Sequence, residues 1–289
     1  MQIISTTSDL GFKTVFGERP HLLMNLLNNF LPLPNPIVEV HYLNPEMIPE
    51  KTDGKNGIVD VHCKDSHERH FIVEMQIGQQ ASFIKRALLN TSKVYSRQLT
   101  KEQQYHLAQP VYSLNLLDHR IDEDETIWYH HYALTNQQDS AKTIDQMHIL
   151  LIELPKWKNL NKFDIELPRD RWLVYFTEPK YFTMMTKEEL KRFNEISEAV
   201  ELLEPTNFTP EQLRAYDLYL DNIRTYESNM YEAKLEAFTD GEAKGILKGS
   251  NQTLSIMKDL KDSSNNLESI SEKYGVSVEF VREVQSVMG

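Results

Sequence analysis

The chain carries a single cysteine, Cys63, among its 289 residues. An internal disulfide framework is therefore excluded, and the composition fits a reducing compartment. No apolar run approaches the ~20 residues needed to span a bilayer. The first residues, Met1 to Asp9, lack the basic region and long apolar core of a secretory leader. The expectation is a cytoplasmic protein with no membrane partner. Positive charge is also in short supply: the formal net charge is −12, which at first sight opposes a nucleic-acid partner. What remains is ordinary for a globular chain, with 40% hydrophobic and 26% charged residues. The length suits one main domain with appendages.

The charge is unevenly spread. Residues 1–120 hold 12 Lys+Arg against 12 Asp+Glu, whereas residues 121–289 hold 19 against 31 and carry the whole acidic excess. Within residues 79–101 stand Lys85, Arg86, Lys93, Arg97 and Lys101 with no acid. A phosphate backbone is thus compatible with the first half.

Chemistry concentrates in Gly57-Ile-Val-Asp60-Val-His-Cys63 and His70-Phe-Ile-Val-Glu74-Met-Gln76. Both are rich in β-branched and apolar residues and flank a polar stretch, which predicts two neighbouring strands. Side chains alternate along a strand. Ile58, Asp60 and His62 then share one face, Glu74 and Gln76 another, and Val59, Val61, Cys63, Phe71, Val73, Met75 and Ile77 fill the opposite faces. Asp60, Glu74 and Gln76 would converge if those apolar faces pack inward. Two carboxylates and an amide suit a hard cation such as Mg2+, which leaves positions for water and phosphate. The competing reading is a hairpin with one wet face and solvated carboxylates.

Around this pair, Arg19 to Leu31 has the spacing of an apolar-faced helix, stopped by Pro32, Pro34 and Pro36. Ile37 to Leu43 reads as a strand and Asn44 to Asn56 as a loop. Gln79 to Gln103 reads as a long helix with Ile84, Ala87, Leu88, Thr91, Val94 and Tyr95 on its apolar side. Arg86, Lys93, Arg97 and Lys101 lie on a basic flank beside it. Pro110 to Asp118, Ile127 to Leu134 and His148 to Leu154 read as strands, with Pro155 ending the last. Arg169 to Tyr175 and Lys187 to Leu203 add helix. Pro210 to about Leu260 is mostly helical, weakened by Gly241, Gly245 and Gly249, and suits a linker or partner-facing arm. The tail reads as helix, Gly275 break, helix. Its second helix carries Glu279 and Glu283 against Arg282, which favours a packing module over a groove reader. The expected division is a main domain over 1–205, an arm over 206–262 and a small tail over 263–289.

In order along the chain come Asp9-Leu-Gly-Phe12-Lys13-Thr-Val-Phe16-Gly17, Ile58-Val-Asp60-Val, Val73-Glu74-Met-Gln76 and the helix with Arg86 and Tyr95. Pro110 to Asp118 and Ile152-Glu-Leu-Pro-Lys-Trp157 follow. The ordered set resembles the recombination-promoting nuclease (Rpn) family of the PD-(D/E)xK nuclease superfamily, over about Asp9 to Gly249. The resemblance implies an α/β fold: a PD-(D/E)xK-type core, a mixed β-sheet flanked by helices, with a helical C-terminal extension. It also implies metal-dependent DNA cleavage in recombination or mobile-element movement. By the same resemblance Asp60 and Glu74 match the metal-binding carboxylates. Gln76 stands where the superfamily has lysine and Val59 where it has proline.

The expected chemistry is phosphodiester hydrolysis with Mg2+, or Mn2+ in its place. Asp60 and Glu74 hold the ion and Gln76 positions the water. Asp9 can add a carboxylate or simply cap its helix. Lys13 can supply charge or pair with Asp9 at i,i+4. Arg86, Lys93 and Arg97 are candidate DNA contacts, against a solvated basic face. His62, on the Asp60 face, can bind metal or shuttle protons, but reads first as a hydrogen-bonded surface histidine. Phe12, Phe16, Tyr95, Trp128, Trp157 and Trp172 read as core. A homodimer through the arm is a further expectation. The alternatives are a weakened nuclease fold that binds DNA or protein, and an unrelated scaffold.

Overall fold

The structure, a computed structural model, describes residues 3–47, 57–78, 82–160, 162–261 and 266–288. Contacts group the chain into two compact units, Met1–Leu213 and Arg214–Gly289.

The first unit is built on strands β1 (Val40–Tyr42), β2 (Glu46–Met47), β3 (Gly57–Ile58), β4 (Val61–Asp65), β5 (His70–Gln76), β6 (Val111–Leu117), β7 (Tyr129–Thr135) and β8 (Thr143–Glu153). Six of them form one sheet in the order β1-β4-β5-β6-β8-β7, and β2 and β3 pair as a small ribbon. The pairs β5–β6 and β6–β8 are parallel, and the flanking pairs are antiparallel. Such a mixed sheet needs cover on both faces of its parallel centre. Accordingly β6 is buried at every position, and β5 at all but two.

One face is covered by α3 (Phe83–Ser96), which follows α1 (Asp9–Phe16) and α2 (Pro20–Phe30) in the chain. Val94 of α3 joins Val59, Ile72 and Val111 in one apolar cluster, and Phe83 and Ala87 join Leu117, Ile149 and Leu151 in another. On the other face, the Tyr42 hydroxyl donates to Phe16 O at 2.7 Å and the Tyr129 hydroxyl to Phe30 O at 2.8 Å. These bonds set α1 and α2 against that side. Beyond β8 come α4 (Leu154–Asn159) and α5 (Pro168–Thr177). The rings of Phe12, Phe16, Trp172 and Phe176 pack between 4.8 and 6.3 Å apart and join α5 to α1. Short helices α6 (Lys180–Thr183) and α7 (Lys187–Leu190), then α8 (Asn194–Leu202), complete the unit. The α/β architecture with flanking helices and a helical C-terminal region is as expected.

Several boundaries differ from the sequence reading. The strand expected from His148 begins at Thr143, and Pro155, expected to end it, opens α4 at a position where proline's missing N–H is harmless. The helix expected over 79–103 spans Phe83–Ser96 among the described residues; residues 79–81 lie outside them, and Lys101 lies beyond the helix end. Its buried face is Phe83, Ala87, Asn90, Thr91 and Val94, while Ile84 and Leu88 are exposed. The stretch Ile58 to His62 is not one strand, because the backbone bends at Asp60 between β3 and β4. The hairpin has no wet face at Glu74, which is buried close to Arg86 and Asn90 of α3. Trp128 is half-buried beneath Arg169, whereas Phe12, Phe16, Trp157 and Trp172 are core.

The second unit holds most of α9 (Pro210–Leu260), then α10 (Leu267–Tyr274) and α11 (Val278–Met288). Despite its glycines, α9 is one unbroken helix, and a Cβ at Gly241, Gly245 or Gly249 would meet nothing within 4 Å. Gly275 takes the left-handed conformation that ends α10. Ile270, Val281 and Val284 close over Ile256, so the tail packs onto the end of α9. No helix among the described residues is long and apolar enough to cross a membrane.

Candidate active site

Glu74 lies on the α3 side of β5, in register with Asn115 of β6. Its side chain is almost fully enclosed, at 6% exposure. The α3 residue above it is Asn90, also buried. The Asn90 amide lies near enough to favour the Glu74 carboxylate, but outside hydrogen-bonding geometry. Glu74 Oε2, both polar atoms of the Asn90 amide and Asn115 Oδ1 have no hydrogen-bond partner among the described residues. Buried polar atoms are nearly always satisfied, and a local concentration of exceptions points to an ion or water held there. Burial raises the Glu74 pKa from 4.5 to about 7; Arg86 opposes the rise and the Asp60 charge adds to it.

Asp60 reaches the same place from the bend before β4. Its Oδ2 accepts from the Met75 N–H at 2.7 Å, which ties it to β5 next to Glu74. Burial raises its pKa, the Met75 bond opposes this, and the Asp9 charge adds to the rise while Lys13 and Arg86 lower it. The sequence's two carboxylates therefore meet, each felt by the other or by shared neighbours. A buried carboxylate with an unmet oxygen beside a half-buried one is a donor set that fits a hard divalent cation.

Gln76, one alternation further along β5, donates from Nε2 to Ile77 O at 3.0 Å and Gly78 O at 3.2 Å. Its Oε1 accepts from the Arg86 guanidinium. The side chain expected to hold a water is thus committed to protein partners, and it draws Arg86 off the outer flank into the site. The Arg86 guanidinium also sits 5.3 Å from the Phe83 ring centre. Asp9 and Lys13 form an i,i+4 pair at 2.7 Å on the exposed side of α1, close enough to bear on Asp60. The N-cap of α1 is Ser8, whose hydroxyl accepts from Gly11 N–H, so Asp9 is left in the first helical turn. Lys93 lies further along α3 and Arg97 caps its C-terminal end, both beside His62 and His70. His62 is half-buried, with Nδ1 3.2 Å from Asn44 O and Nε2 3.3 Å from His70 Nδ1. Cys63 is buried, and its thiol is pushed up to about 12 by enclosure, which removes it as a nucleophile. Asn90 was missed; a lone amide on the apolar side of a helix was its only signal.

A second carboxylate group lies two strands away. Asp122, His130 and Glu153 offer ligand atoms within 4.8 Å of one another. The cationic position there is already taken, since the Lys156 ammonium lies 2.5 Å from Asp122 and 2.8 Å from Glu153.

The chain matches the family described as PD-(D/E)XK nuclease family transposase over residues 6–233. It belongs to that family. The resemblance read from the ordered blocks holds, and the matched span includes both core carboxylates. No curated protein and no solved structure gave a significant match.

Proposed function

We propose that the protein is a metal-dependent DNA endonuclease that hydrolyses phosphodiester bonds during recombination or mobile-element movement. The observation that carries this reading is Glu74, a buried carboxylate with an unmet oxygen, tied to Asp60 within a nuclease-family core. Asp60 and Glu74 would hold Mg2+ or Mn2+. Bound there, the ion supplies Lewis acidity toward the phosphate and a water of lowered pKa.

The remaining work falls to the chain's own groups. Arg86, oriented by Gln76, places a fixed positive charge where the wider superfamily has lysine, and stabilises charge that develops on the phosphate. Gln76 is then a positioning residue. The Asp9–Lys13 pair tunes the field at Asp60 from the rim. Lys93 on α3 and Arg97 at its C-terminal end extend positive charge for the DNA backbone. A cytoplasmic location follows from the same reading.

A second copy of the chain fits along α9. Tyr231, Phe238, Ile246 and Leu247 are exposed on it. Residues 210–232 carry five acids and two bases, and residues 243–261 four bases and one acid, so antiparallel pairing would match opposite charges. A paired enzyme suits cuts in both strands.

The test is cleavage of supercoiled DNA with Mg2+, Mn2+ or EDTA by the parent, Asp60→Ala and Arg86→Gln. The reading predicts metal-dependent cutting by the parent alone. A folded parent that binds DNA but never cuts would support the weakened-fold reading, for which the committed amide of Gln76 is the specific observation.

A further inference from the structure

Under α3, where β5 lies beside β6, Glu74 Oε2, Asn115 Oδ1 and both amide atoms of Asn90 are buried without a hydrogen-bond partner among the described residues. Glu74 and Asn115 are register partners on adjacent parallel strands, so their side chains stand side by side on one face, with backbones about 4.8 Å apart. Asn90 stands close to the Glu74 carboxylate from the helix side. Exposure is 6% for Glu74, 2% for Asn90 and 0% for Asn115, so bulk water does not satisfy them.

The contacts of Asn115 fix which of its amide atoms is the oxygen. Its Nδ2 donates to Ser113 O at 3.2 Å and to Leu150 O at 3.0 Å. Carbonyls only accept, so the atom that meets them is the nitrogen and the unmet one is an acceptor. The group then holds three acceptor oxygens, one each from Glu74, Asn90 and Asn115, against a single NH2. Turning the Asn90 amide does not remove the excess, because its two N–H bonds can meet two acceptors and still leave its own oxygen unmet. A water brings two hydrogens and no charge. A cation meets three oxygens at once and offsets the carboxylate.

We propose that Asn90 and Asn115 are inner ligands of the cation held by Asp60 and Glu74, each through its amide oxygen. The proposal rests on the metal reading of the nuclease site and extends it to the choice of ion. Two carboxylates alone suit Mg2+, which keeps several waters in a tight octahedron. Two neutral oxygens from the chain make a fuller protein cage, which a larger and less strictly coordinated ion accepts. Ca2+ takes about 6–8 oxygens, amide carbonyls included. The inner amides therefore favour Ca2+ over Mg2+ at this centre. Asn115 also fastens β6 to β8 through Leu150 O, whereas the Asn90 amide bonds to no described residue. Asn90 is thus the ligand that can be changed without loosening the sheet.

The experiment has two arms, both with full-length protein and without DNA. In the first, Ca2+ and Mg2+ are titrated by calorimetry at fixed pH into the parent, Asn90→Leu and Asn90→Asp, with melting curves in EDTA to check each fold. The parent should bind Ca2+ more tightly than Mg2+. Asn90→Leu should lose on the order of tenfold in Ca2+ affinity and less for Mg2+, while Asn90→Asp, which keeps an oxygen there, retains Ca2+ binding. In the second arm, the side-chain NH2 resonances of Asn90 and Asn115 are followed by NMR as Ca2+ is added to the parent. Both should shift and saturate with the calorimetric binding. This arm needs no substitution, so it decides the matter even where Asn90→Leu does not fold. A parent that prefers Mg2+, equal Ca2+ affinity in the parent and Asn90→Leu, or either resonance unmoved at saturation overturns the inner ligands and leaves Asp60 and Glu74 as the metal site. A parent that binds none of Ca2+, Mg2+ and Mn2+ removes the metal reading itself.

Discussion

Glu74 and Glu153 are two buried glutamates on the same face of the same sheet, and their surroundings are opposite. Glu153 is fully enclosed, at 0% exposure, and its carboxylate is met on every side. Lys156 Nζ is 2.8 Å away, His130 Nε2 2.6 Å, and the Ile121 N–H donates at 2.7 Å. Burial alone would lower the Lys156 pKa, but its hydrogen bonds to Asp122 and Glu153 outweigh that and keep it charged. This is a closed network that fastens the loop after β6 to the end of β8. Glu74 has a raised pKa, an unmet oxygen and an equally unmet amide above it. A closed network needs nothing more; an open one is poised for a ligand. The contrast separates, within a single fold, an acid closed into a hydrogen-bonded network from one left with an unmet oxygen.

The contrast can be broken from either side. The largest effect should come from Asp60→Ala or Glu74→Ala in the cleavage assay. Losing several kcal/mol of metal-supplied stabilisation lowers the rate by at least about a thousandfold. Parent-like cutting by both would remove the site assignment. The next is Lys156→Met, which leaves Glu153 as an uncompensated buried charge and should cost about 3–5 kcal/mol. Thermal melting reads this. The double variant Lys156→Met/Glu153→Gln should regain part of the loss; a double variant as unstable as the sum of both would show the charges are not coupled.

A smaller effect has the opposite sign. The folded pKa of Glu74, about 7, lies above its ordinary 4.5, so the folded state holds the proton more tightly. Its stability contribution is greatest below pH 4.5 and falls as pH rises through 7. Glu74→Gln removes that penalty, worth about 3 kcal/mol above pH 7, and should raise the melting temperature at pH 8 but not at pH 4. A variant less stable than the parent at pH 8 would contradict the open-site account. The smallest change is Asp9→Asn. Its pair with Lys13 is exposed, so stability should move by less than about 1 kcal/mol, checked in the same melts.

Much of this site was legible in the residues. Strand alternation put Glu74 and Gln76 on one face, and spacing brought Asp60 to them. What alternation cannot show is which face is dry. The apolar stripe through Ile84 and Leu88 misjudged α3 by about one residue, because the true buried face carries the polar Asn90 above Glu74. The Arg86–Gln76 contact joins side chains ten residues apart across a helix start, so no local period reveals it. Glu153 and Lys156 lie in the stretch Ile152 to Trp157, where local sequence suggests no role for either. Their partners, Asp122 and His130, come from a loop and a neighbouring strand that only the sheet order brings together.

The most direct measurement is Mn2+ binding by calorimetry at pH 8, on the parent, Glu74→Gln and Asp122→Asn. The account predicts that the parent and Asp122→Asn bind the ion alike and that Glu74→Gln loses it. Binding that survives in Glu74→Gln and disappears in Asp122→Asn would move the metal to the Lys156 network and contradict the account.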